Sequence, residues 1–502
     1  MSENKLNNSV HIIDSIGKTV LPNGKKFEDH FTFNGVSYWK VYESYNVLYS
    51  IPNFDNFNKF QLFLDFIKPS FSYIKAFIIA LFKIFSSKNN AFKSKTNRDS
   101  TLFLSFNNYM FKDVLFPVTK TYSELENEHY IVLKENKKEE NNIWNYSENW
   151  FNQYLSLKRK INSSISEFYK MGGYSLIFKG NTELSFKVRN TLSWFIKFHI
   201  KLLAIRHILI ENIFTKHNIN SVISSDVADE RNRLVILIAQ KYKIKSMQIQ
   251  FGSVNEFDKE WLTNISEKIA VWGKSDSNNL LNLNIDKSII EITGCPRYDF
   301  YFNSKSDNKK LFLKHLNIDF KNKKIVLFAS ARQQKEYDSF SNVNQLLNFK
   351  NDIVECAKSF NNIILLIKPH PLEDISFLNK ITKNIKNVVV LDKGLDIRNF
   401  VLLCDSFISL GSTATFDAIV CNKFIICPVY GGWYWSKYLM ENKSINFVNS
   451  KSELFNSFES ISNNSYLSHI NKFKIEREKY LDSKINLYAN SSEIVKNLIL
   501  NL

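Results

Sequence analysis

Residues 363–371 read Ile-Ile-Leu-Leu-Ile-Lys-Pro-His-Pro, and they are the most informative stretch of the chain. A short apolar run that ends in polar residues and prolines is typical of a strand buried on both faces of a parallel sheet. The two prolines keep the backbone extended and fix His370 at the carboxyl end of this strand. Because ligands of doubly wound sheets bind at that edge, the residues after each strand are the candidate site residues.

Similar short apolar runs alternate with amphipathic helical patterns on both sides of this stretch. The alternation predicts an α/β fold with two Rossmann-like, doubly wound domains that face a cleft. Predicted strands of the first domain are Thr101–Phe106, Tyr130–Leu133, Ser221–Ser224, Ser246–Gln250, Ile269–Trp272 and Ile289–Thr293. Those of the second are Ile325–Ala329, Ile363–Ile367, Val388–Leu391, Ser406–Ser409, Phe424–Cys427 and Ile445–Val448. Helices are predicted over Asn142–Met171, Leu184–Lys216, Glu230–Tyr242, Leu467–Leu481 and Ser492–Leu500.

A polar, lysine-rich segment separates the two series of strands. At 502 residues the chain is long enough for two or three domains of ordinary size. We predict a loosely organised N-terminal extension over residues 1–100, a first domain over 101–302, a linker over 303–323, a second domain over 324–480 and a C-terminal helix over 481–502. The five cysteines form no CxxC pair, so neither a disulfide framework nor a zinc ribbon is expected.

The chain is strongly basic, with 66 lysine and arginine residues against 49 aspartate and glutamate residues and a net charge of +17. This balance predicts a negatively charged partner, which can be a phosphorylated substrate, a phospholipid surface or a nucleic acid. A non-enzymatic nucleic-acid-binding protein is therefore one alternative. The lysines are dispersed among asparagines, however, and no RRM, KH or helix-turn-helix pattern occurs, so no nucleic-acid partner is expected.

Residues Phe71–Phe85 (FSYIKAFIIALFKIF) are the segment most like a membrane helix. They are shorter than the roughly 20 residues that a span needs, and two lysines interrupt them. One interpretation is a basic, aromatic helix that lies on an anionic membrane surface; the other is a buried helix whose lysines reach solvent at its edges. Since the polar N-terminus lacks a signal core, we expect a cytoplasmic protein, peripheral at the inner face of the membrane under the first interpretation.

Two strand ends of the second domain carry the strongest candidates for phosphate binding. His370, flanked by Lys368 and Pro371, is held rigidly where it can meet a phosphate or a leaving oxygen. Ser412 and Thr413 open a helix after the strand Ser406–Ser409 and can offer hydroxyls and backbone amides to a phosphate. The alternative for these two residues is an ordinary helix N-cap.

Further candidates flank these strand ends. Gly411 precedes Ser412 and permits close approach of the backbone to a ligand. Ser330 and Arg332 follow the strand Ile325–Ala329 and are candidates for holding a diphosphate or its sugar.

In the first domain, Asp226 follows the strand Ser221–Ser224 and is the candidate general base for an acceptor hydroxyl. The alternative is a carboxylate that stabilises the start of the following helix. The remaining candidates for the cleft are Asp229, Gln250, Gly252, Ser253, Arg297 and Tyr430.

Several common catalytic motifs are absent from the sequence. There is no GxGxxG after the first strand, no GxxxxGK[ST], no GxSxG and no HExxH, which removes the usual signals of dinucleotide oxidoreductases, P-loop enzymes, α/β-hydrolases and zinc proteases. A DxD-type metal site is not evident either. We therefore expect a metal-independent mechanism with no cofactor, in which positive groups and helix ends stabilise a leaving phosphate.

An ordered set of short motifs resembles bacterial surface-carbohydrate enzymes of the GT-B type. The set comprises Gln250-Phe251-Gly252, Val271-Trp272-Gly273, Thr293-Gly294-Cys295-Pro296-Arg297-Tyr298-Asp299, Lys368-Pro369-His370-Pro371, Gly411-Ser412-Thr413 and Asp417-Ala418. It is similar to the group of capsule polysaccharide transferases, CDP-glycerol glycerophosphotransferases and bacterial sialyl- and polysialyltransferases. The resemblance covers about residues 221–448. The chain departs from it at Phe251, where relatives often have histidine, and in lacking a clean acidic-acidic-Gly motif for the base.

The resemblance implies a GT-B fold and binding of the donor phosphates by an HP motif and a Ser/Thr motif. His370 and Pro371 match the first motif, Ser412 and Thr413 match the second, and Asp417 is implied to contact the ribose. The expected activity is transfer of a sugar from a CMP-, UDP- or CDP-linked donor to a surface or capsular glycan acceptor, either free or lipid-linked. The alternatives are a CDP-alditol glycerophosphotransferase-like polymerase and a sugar-nucleotide 2-epimerase-like enzyme.

Overall fold

The structure is a computed structural model. It describes residues 14–49, 74–75, 77–85, 96–107, 110–125, 129–135, 142–177, 189, 192–252, 254, 259–303, 320–331, 343–410, 412–430, 442–487 and 490–502. Three of the candidate residues, Ser253, Arg332 and Gly411, lie outside these ranges. The chain divides into two compact units, which comprise Met1–Arg297 with Asn490–Leu502, and Tyr298–Ala489. The second unit thus begins before the predicted linker.

The first unit contains a six-stranded sheet in which every neighbouring pair is parallel. A short antiparallel hairpin precedes it in the chain. The strands, in chain order, are β1 (Thr32–Phe33), β2 (Val36–Ser37), β3 (Thr96–Leu104), β4 (His129–Leu133), β5 (His217–Ser224), β6 (Lys245–Ile249), β7 (Lys268–Val271) and β8 (Ile290–Ile292). Their order in the large sheet is β4-β3-β5-β6-β7-β8.

Helices alternate with the strands of the first unit. Its α-helices are Phe27–His30, Tyr38–Tyr49, Phe116–Tyr122, Trp150–Lys170, Ile200–Lys216, Glu230–Lys241, Lys274–Asn282 and Ser491–Leu500. The helix Asp299–Asn303 begins the second unit. The helix predicted from Asn142 begins later, because Ile143–Tyr146 forms a separate 3-10 turn capped by the Asn142 side chain. The final helix places Val495 and Ile499 in an apolar cluster of the first unit with Val118.

The N-terminal region departs from the prediction of a loose extension. Phe27, Phe31 and Trp39 are buried in the main core of the first unit, where Phe27 and Trp39 pack edge to face at 5.1 Å. The buried Arg233 guanidinium donates to the backbone carbonyl of Lys40 at 2.9 Å and 2.6 Å. Aromatic side chains gain most from burial, so the aromatic content of this region explains why residues 14–44 pack rather than remain exposed.

The second unit contains a second all-parallel, six-stranded sheet. Its strands are β9 (Lys324–Ala329), β10 (Ile363–Lys368), β11 (Val388–Val390), β12 (Ser406–Ser409), β13 (Phe424–Pro428) and β14 (Ile445–Val448), in the order β11-β10-β9-β12-β13-β14. Its further α-helices are Val343–Lys358, Ser376–Thr382, Ile397–Leu403, Ala414–Val420, Lys451–Ser462, Tyr466–Lys472 and Lys474–Lys484. The helix predicted over Leu467–Leu481 is therefore two helices with a break at Phe473.

Both sheets confirm the predicted fold class, and each predicted strand is present with bounds that differ by only a few residues. The apolar run of β10 is buried at every position, as expected for a central parallel strand. The strand order reverses between β3 and β5 in the first unit and between β9 and β12 in the second. Ligands of doubly wound sheets bind outside the carboxyl ends of the strands at such switch points.

Within the described ranges, every helix is too short or too polar to cross a membrane.

Candidate active-site residues

The candidate phosphate-binding residues of the second unit follow three neighbouring strands. Ala329 in β9 lies in register with Lys368 in β10 on one side and with Ser409 in β12 on the other. The segments that begin at Ser330, Pro369 and Leu410 therefore leave the sheet side by side at its switch point, since adjacent strands are about 4.8 Å apart. The fold thus brings together the HP and Ser/Thr motifs, which lie far apart in the sequence.

His370 is exposed at the end of β10, whereas Pro369 before it is buried. The Nδ1 atom of the His370 ring accepts a hydrogen bond from the backbone N–H of Leu372 at 3.2 Å. In the neutral imidazole this bond places the ring proton on Nε2, because one ring nitrogen accepts and the other donates. The ring therefore presents a hydrogen-bond donor, which is what a phosphate oxygen requires.

The side chain of Lys368, which the sequence suggested as a phosphate contact, donates to backbone carbonyls of its own unit. It is buried, and its Nζ donates to the carbonyls of Pro369 at 3.0 Å and Lys393 at 2.9 Å. The structure instead assigns Lys368 to holding the turn after β10. Pro371 is exposed beside His370.

Sequence reasoning missed a buried ion pair beneath this turn. The carboxylate of Glu373 accepts from Lys350 Nζ at 2.5 Å, from Ser330 Oγ at 2.7 Å and from the backbone N–H of His370 at 2.9 Å. Ser330, a predicted diphosphate contact, thus uses its hydroxyl to bind Glu373. The signal in the sequence was an acidic residue three positions after His370, a spacing at which a side chain can reach back to a backbone amide.

Ser412 and Thr413 are exposed at the start of the helix Ala414–Val420. The side chain of Thr413 makes no capping hydrogen bond in that helix, so the plain N-cap alternative does not describe it. Beneath them, the buried hydroxyls of Ser409 and Thr415 are hydrogen-bonded at 2.7 Å. The Ser409 hydroxyl also accepts from the Ser412 backbone N–H at 3.2 Å. A buried pair of hydroxyls therefore holds the exposed pair in place.

Two other residues predicted to contact a ligand bond instead to residues of the second unit. Asp417 is fully buried and accepts from the Tyr301 hydroxyl at 2.7 Å, so the structure does not present its carboxylate to a ribose. The Tyr430 hydroxyl donates to Asp352 at 3.1 Å, and its ring packs edge to face on Phe349 at 4.5 Å. Both side chains have structural partners that the sequence did not reveal.

Asp226 is half-buried at the switch point of the first unit, directly after β5. Its Oδ1 accepts from the backbone N–H groups of Ala228 and Asp229, both at 3.0 Å. Burial, together with the neighbouring Asp229 charge, raises the pKa of Asp226 from 3.8 to about 6. A carboxylate with a pKa near neutrality is suited to accept a proton from a hydroxyl.

Asp229 differs from Asp226 in forming an ion pair. It caps the helix Glu230–Lys241 by accepting from the backbone N–H of Arg231 at 2.7 Å, and it also pairs with the guanidinium of Arg231. Arg231 in turn binds Glu135 at 2.7 Å, and nearby cations hold the pKa of that carboxyl below its usual value. Of the two aspartates, Asp226 is thus the better candidate base.

Two of the remaining candidates of the first unit are buried and bonded to other residues, and one has open space beside it. Gln250 is fully buried, where its side chain donates to Asp276 at 2.7 Å and accepts from the backbone N–H of Trp272 at 2.8 Å. Arg297 is also buried, paired with Asp113. In contrast, a Cβ placed on Gly252 would meet only open space. Of these three candidates, Gly252 alone is open to an approaching molecule.

Residues 276–486 match the sequence model of the CDP-glycerol:poly(glycerophosphate) glycerophosphotransferase family. This range includes the HP turn and the Ser412–Thr413 helix start. None of the curated protein sequences matches the chain.

Solved structures share the fold at low sequence identity. A variant of the wall teichoic acid polymerase TagF has a TM-score of 0.51 and 12% identity, covering 87% of this chain and 97% of that one. The UDP-GlcNAc 2-epimerase from Neisseria meningitidis, bound to UDP-GlcNAc, has a TM-score of 0.50 and 13% identity, covering 81% of this chain and 100% of that one. The S. aureus MnaA-UDP structure has a TM-score of 0.51 and 13% identity, with 81% and 97% coverage. These likenesses concern the fold alone. Together with the family match over residues 276–486, they indicate a transferase with a GT-B-like fold that resembles CDP-glycerol glycerophosphotransferases.

Proposed function

We propose that this transferase moves a sugar from a nucleotide-activated donor, linked to CMP, UDP or CDP, to a surface or capsular glycan acceptor. The observation that carries the proposal is the exposure of His370, Ser412 and Thr413 at neighbouring strand ends at a switch point. These groups offer hydrogen-bond donors where doubly wound sheets bind ligands. The family match over residues 276–486 covers the same groups.

In the proposed reaction, Asp226 takes the proton of the acceptor hydroxyl as its oxygen attacks the anomeric carbon of the donor. The bond between that carbon and the phosphate oxygen breaks, and the nucleotide leaves with the bonding electrons. The Nε2–H of His370 and the hydroxyls of Ser412 and Thr413 stabilise the charge that develops on the phosphate. The mechanism is proposed to need neither a metal ion nor a cofactor, so activity should survive EDTA.

A CDP-alditol is the second candidate donor, because residues 276–486 match the model of a CDP-glycerol glycerophosphotransferase family. In that reaction the acceptor oxygen attacks the β-phosphorus of the donor, a phosphoryl-oxygen bond breaks, and CMP leaves. The same His370 and Ser412 groups would serve, because both reactions expel a nucleotide phosphate. The two reactions differ in the bond that breaks, and the donor that the chain binds distinguishes them.

Thermal stability in the presence of nucleotides tests the proposal, since a ligand that binds the native state raises the melting temperature. The purified chain is screened against CMP, CDP, UDP, GDP and their sugar and alditol conjugates. His370→Ala should abolish the shift, whereas His129→Ala should keep it, because His129 begins β4 in the other unit. If no nucleotide shifts the wild-type chain, the proposed function is wrong; a shift with CDP-glycerol but no sugar nucleotide would select the second donor class.

We also propose that the chain binds the anionic surface of a membrane, at the inner face, and receives a lipid-linked acceptor there. In the described helical residues 77–85, Ala80 and Ile84 are buried in the first unit, whereas Phe82 and Phe85 are 68% and 75% exposed. An exposed apolar helix face beside basic residues favours an anionic bilayer. Ile74, Ile78 and Ile79 in the same segment of sequence are also exposed. The sequence around this segment is basic, with Lys68, Lys88, Lys93, Lys95 and Arg98.

Vesicle co-sedimentation tests this surface with the full chain. Binding to vesicles that contain phosphatidylglycerol should exceed binding to neutral phosphatidylcholine vesicles. Phe82→Glu with Phe85→Glu should reduce it at least tenfold. Ile475→Glu is the matched control, because Ile475 is 63% exposed on the second unit. Equal binding of the double variant and the wild type would contradict the proposal.

A further inference from the structure

The turn that carries His370 is tied to two other segments through a single buried carboxylate. Glu373 and Lys350 are each 2% exposed, and their side chains pair at 2.5 Å. The same oxygen of Glu373 accepts from the Ser330 hydroxyl at 2.7 Å. Its other oxygen accepts from the His370 backbone N–H at 2.9 Å. One side chain therefore joins the ends of β9 and β10 to the helix Val343–Lys358.

Two further hydrogen bonds link Lys350 to the segment after β9 and Glu373 to the backbone of His370. Lys350 Nζ also donates to the carbonyl of Ala331 at 2.9 Å, beyond the end of β9. The backbone N–H of Glu373 donates to the carbonyl of His370 at 2.9 Å. Glu373 and His370 thus bond to each other in both directions, so the turn between them has little freedom.

The orientation of the His370 ring depends on the same turn. Its Nδ1 accepts from the backbone N–H of Leu372, which lies between the two residues that these bonds join. Movement of this backbone would rotate the ring and redirect the Nε2 proton. Small displacements of a positioned group reduce its effect on a bound ligand or a reacting atom.

A buried charge pair is a poor means of gaining stability, because the cost of removing both charges from water offsets much of their attraction. Its better-attested role is to fix one geometry. We propose that Glu373 and Lys350 are positioning residues that fix the end of β9 at Ser330 and hold His370 in place for the donor phosphates. The inference rests on the proposed function, since it assigns the orientation of the same phosphate site.

The test compares Glu373→Gln, Lys350→Met and the double variant. Each single variant leaves one buried group without its charged partner, so the melting temperature should fall by about 5–10 °C. The double variant removes both charges and should recover most of that loss. Glu373→Gln replaces one carboxylate oxygen by an NH2 group, so the two positions that accept from Ser330 and from the His370 N–H are no longer both acceptors. Nucleotide affinity should therefore stay at least tenfold weaker even where stability is restored.

Two readouts separate positioning from stability and from the proposed function. The first is the dissociation constant of CDP or UDP, whichever binds the wild type. The second is the ¹⁵N spectrum of the His370 ring, assigned with His370→Ala, which reports whether Nδ1 remains the acceptor. Glu355→Gln is the control, because Glu355 makes an exposed ion pair with Lys451 in the same unit.

A double variant with normal affinity and an unchanged His370 spectrum would overturn the proposal. A wild type that binds no nucleotide would instead overturn the proposed function. In that case the ¹⁵N spectrum still decides the positioning role: a changed tautomer in the double variant supports it, and an unchanged tautomer refutes it.

Discussion

The Asp226 carboxylate accepts the backbone N–H of Asp229 at 3.0 Å, while the Asp229 carboxylate itself is bound by Arg231. The two acids are therefore neighbours with different roles: one is neutralised by a guanidinium, and the other has a raised pKa of about 6. A carboxyl whose pKa is raised toward neutrality by its environment is commonly the group that exchanges a proton.

The activity should consequently rise with pH through a midpoint near 6, because Asp226 acts as a base only when it is ionised. We expect kcat/KM to follow one ionisation on the acid side, and Asp226→Asn to lower kcat at least a hundredfold. The profile is measured with the donor identified by the thermal screen. An acid limb that persists unchanged in Asp226→Asn would assign the ionisation to another group.

The free energy of unfolding should fall with rising pH over the range in which the activity rises. The pKa of Asp226 is raised in the folded chain, so the folded state holds its proton more tightly than the unfolded state does. The Asp226 contribution to the free energy of unfolding therefore falls as pH rises from about 4 to 6 and stays low above that window. At pH 7.5, Asp226→Asn should be about 1–2 kcal/mol more stable than the wild type, and below pH 4 the difference should vanish. Denaturant unfolding at both pH values measures this, and equal stability at pH 7.5 would contradict it.

Arg231 should limit the rise in the pKa of Asp226 that burial and the Asp229 charge cause, since its charge lowers that pKa and pairs with Asp229. In Arg231→Met we expect the acid midpoint of kcat/KM to move upward by about 0.5–1 pH unit. Lys241→Met is the matched control, because Lys241 ends the same helix and pairs instead with Glu211. A midpoint that moves equally in both variants would show a general charge effect.

The Ser/Thr motif offers a comparison between an exposed and a buried hydroxyl. Ser412→Ala should leave the melting temperature unchanged but weaken nucleotide binding about tenfold, because a hydrogen bond to a charged group is worth about 1.5–3 kcal/mol. Thr415→Val should instead destabilise the fold by about 1–2 kcal/mol, since the buried Ser409 hydroxyl loses its 2.7 Å partner. Calorimetric titration and thermal unfolding measure the two effects. A lower melting temperature for Ser412→Ala would indicate that the Ser412 hydroxyl stabilises the fold and does not serve mainly to bind a nucleotide.

Arg297 should behave as a structural residue rather than as a cleft contact. Arg297→Leu removes the buried guanidinium that pairs with Asp113 and should cost about 3–5 kcal/mol. The double variant Arg297→Leu with Asp113→Leu should recover much of this loss, because no buried charge then lacks its counter-ion. Chemical denaturation of the full chain measures the three variants. A single variant that unfolds like the wild type but loses activity would support the original cleft assignment.

The strands and the HP and Ser/Thr turns could be predicted from the sequence because their signals are local. The run Ile363–Ile367 is apolar at every position, and proline restricts the backbone that follows it whatever the rest of the chain does. His370, Ser412 and Thr413 were accordingly identified at strand ends, and the structure places those ends at one switch point.

The sequence by itself determined the fold class and which segments form the two sheets, since hydrophobic periodicity and proline act over a few residues. Only the tertiary structure decided which polar side chains are exposed. Asp417 and Arg297 resembled site residues, yet burial pairs them with Tyr301 and Asp113, which are distant in the chain. Glu373 looked ordinary, yet it is bound to Lys350 and His370 beneath the candidate site. A buried polar group must find a partner within hydrogen-bonding distance, and packing rather than sequence spacing determines which residue that is.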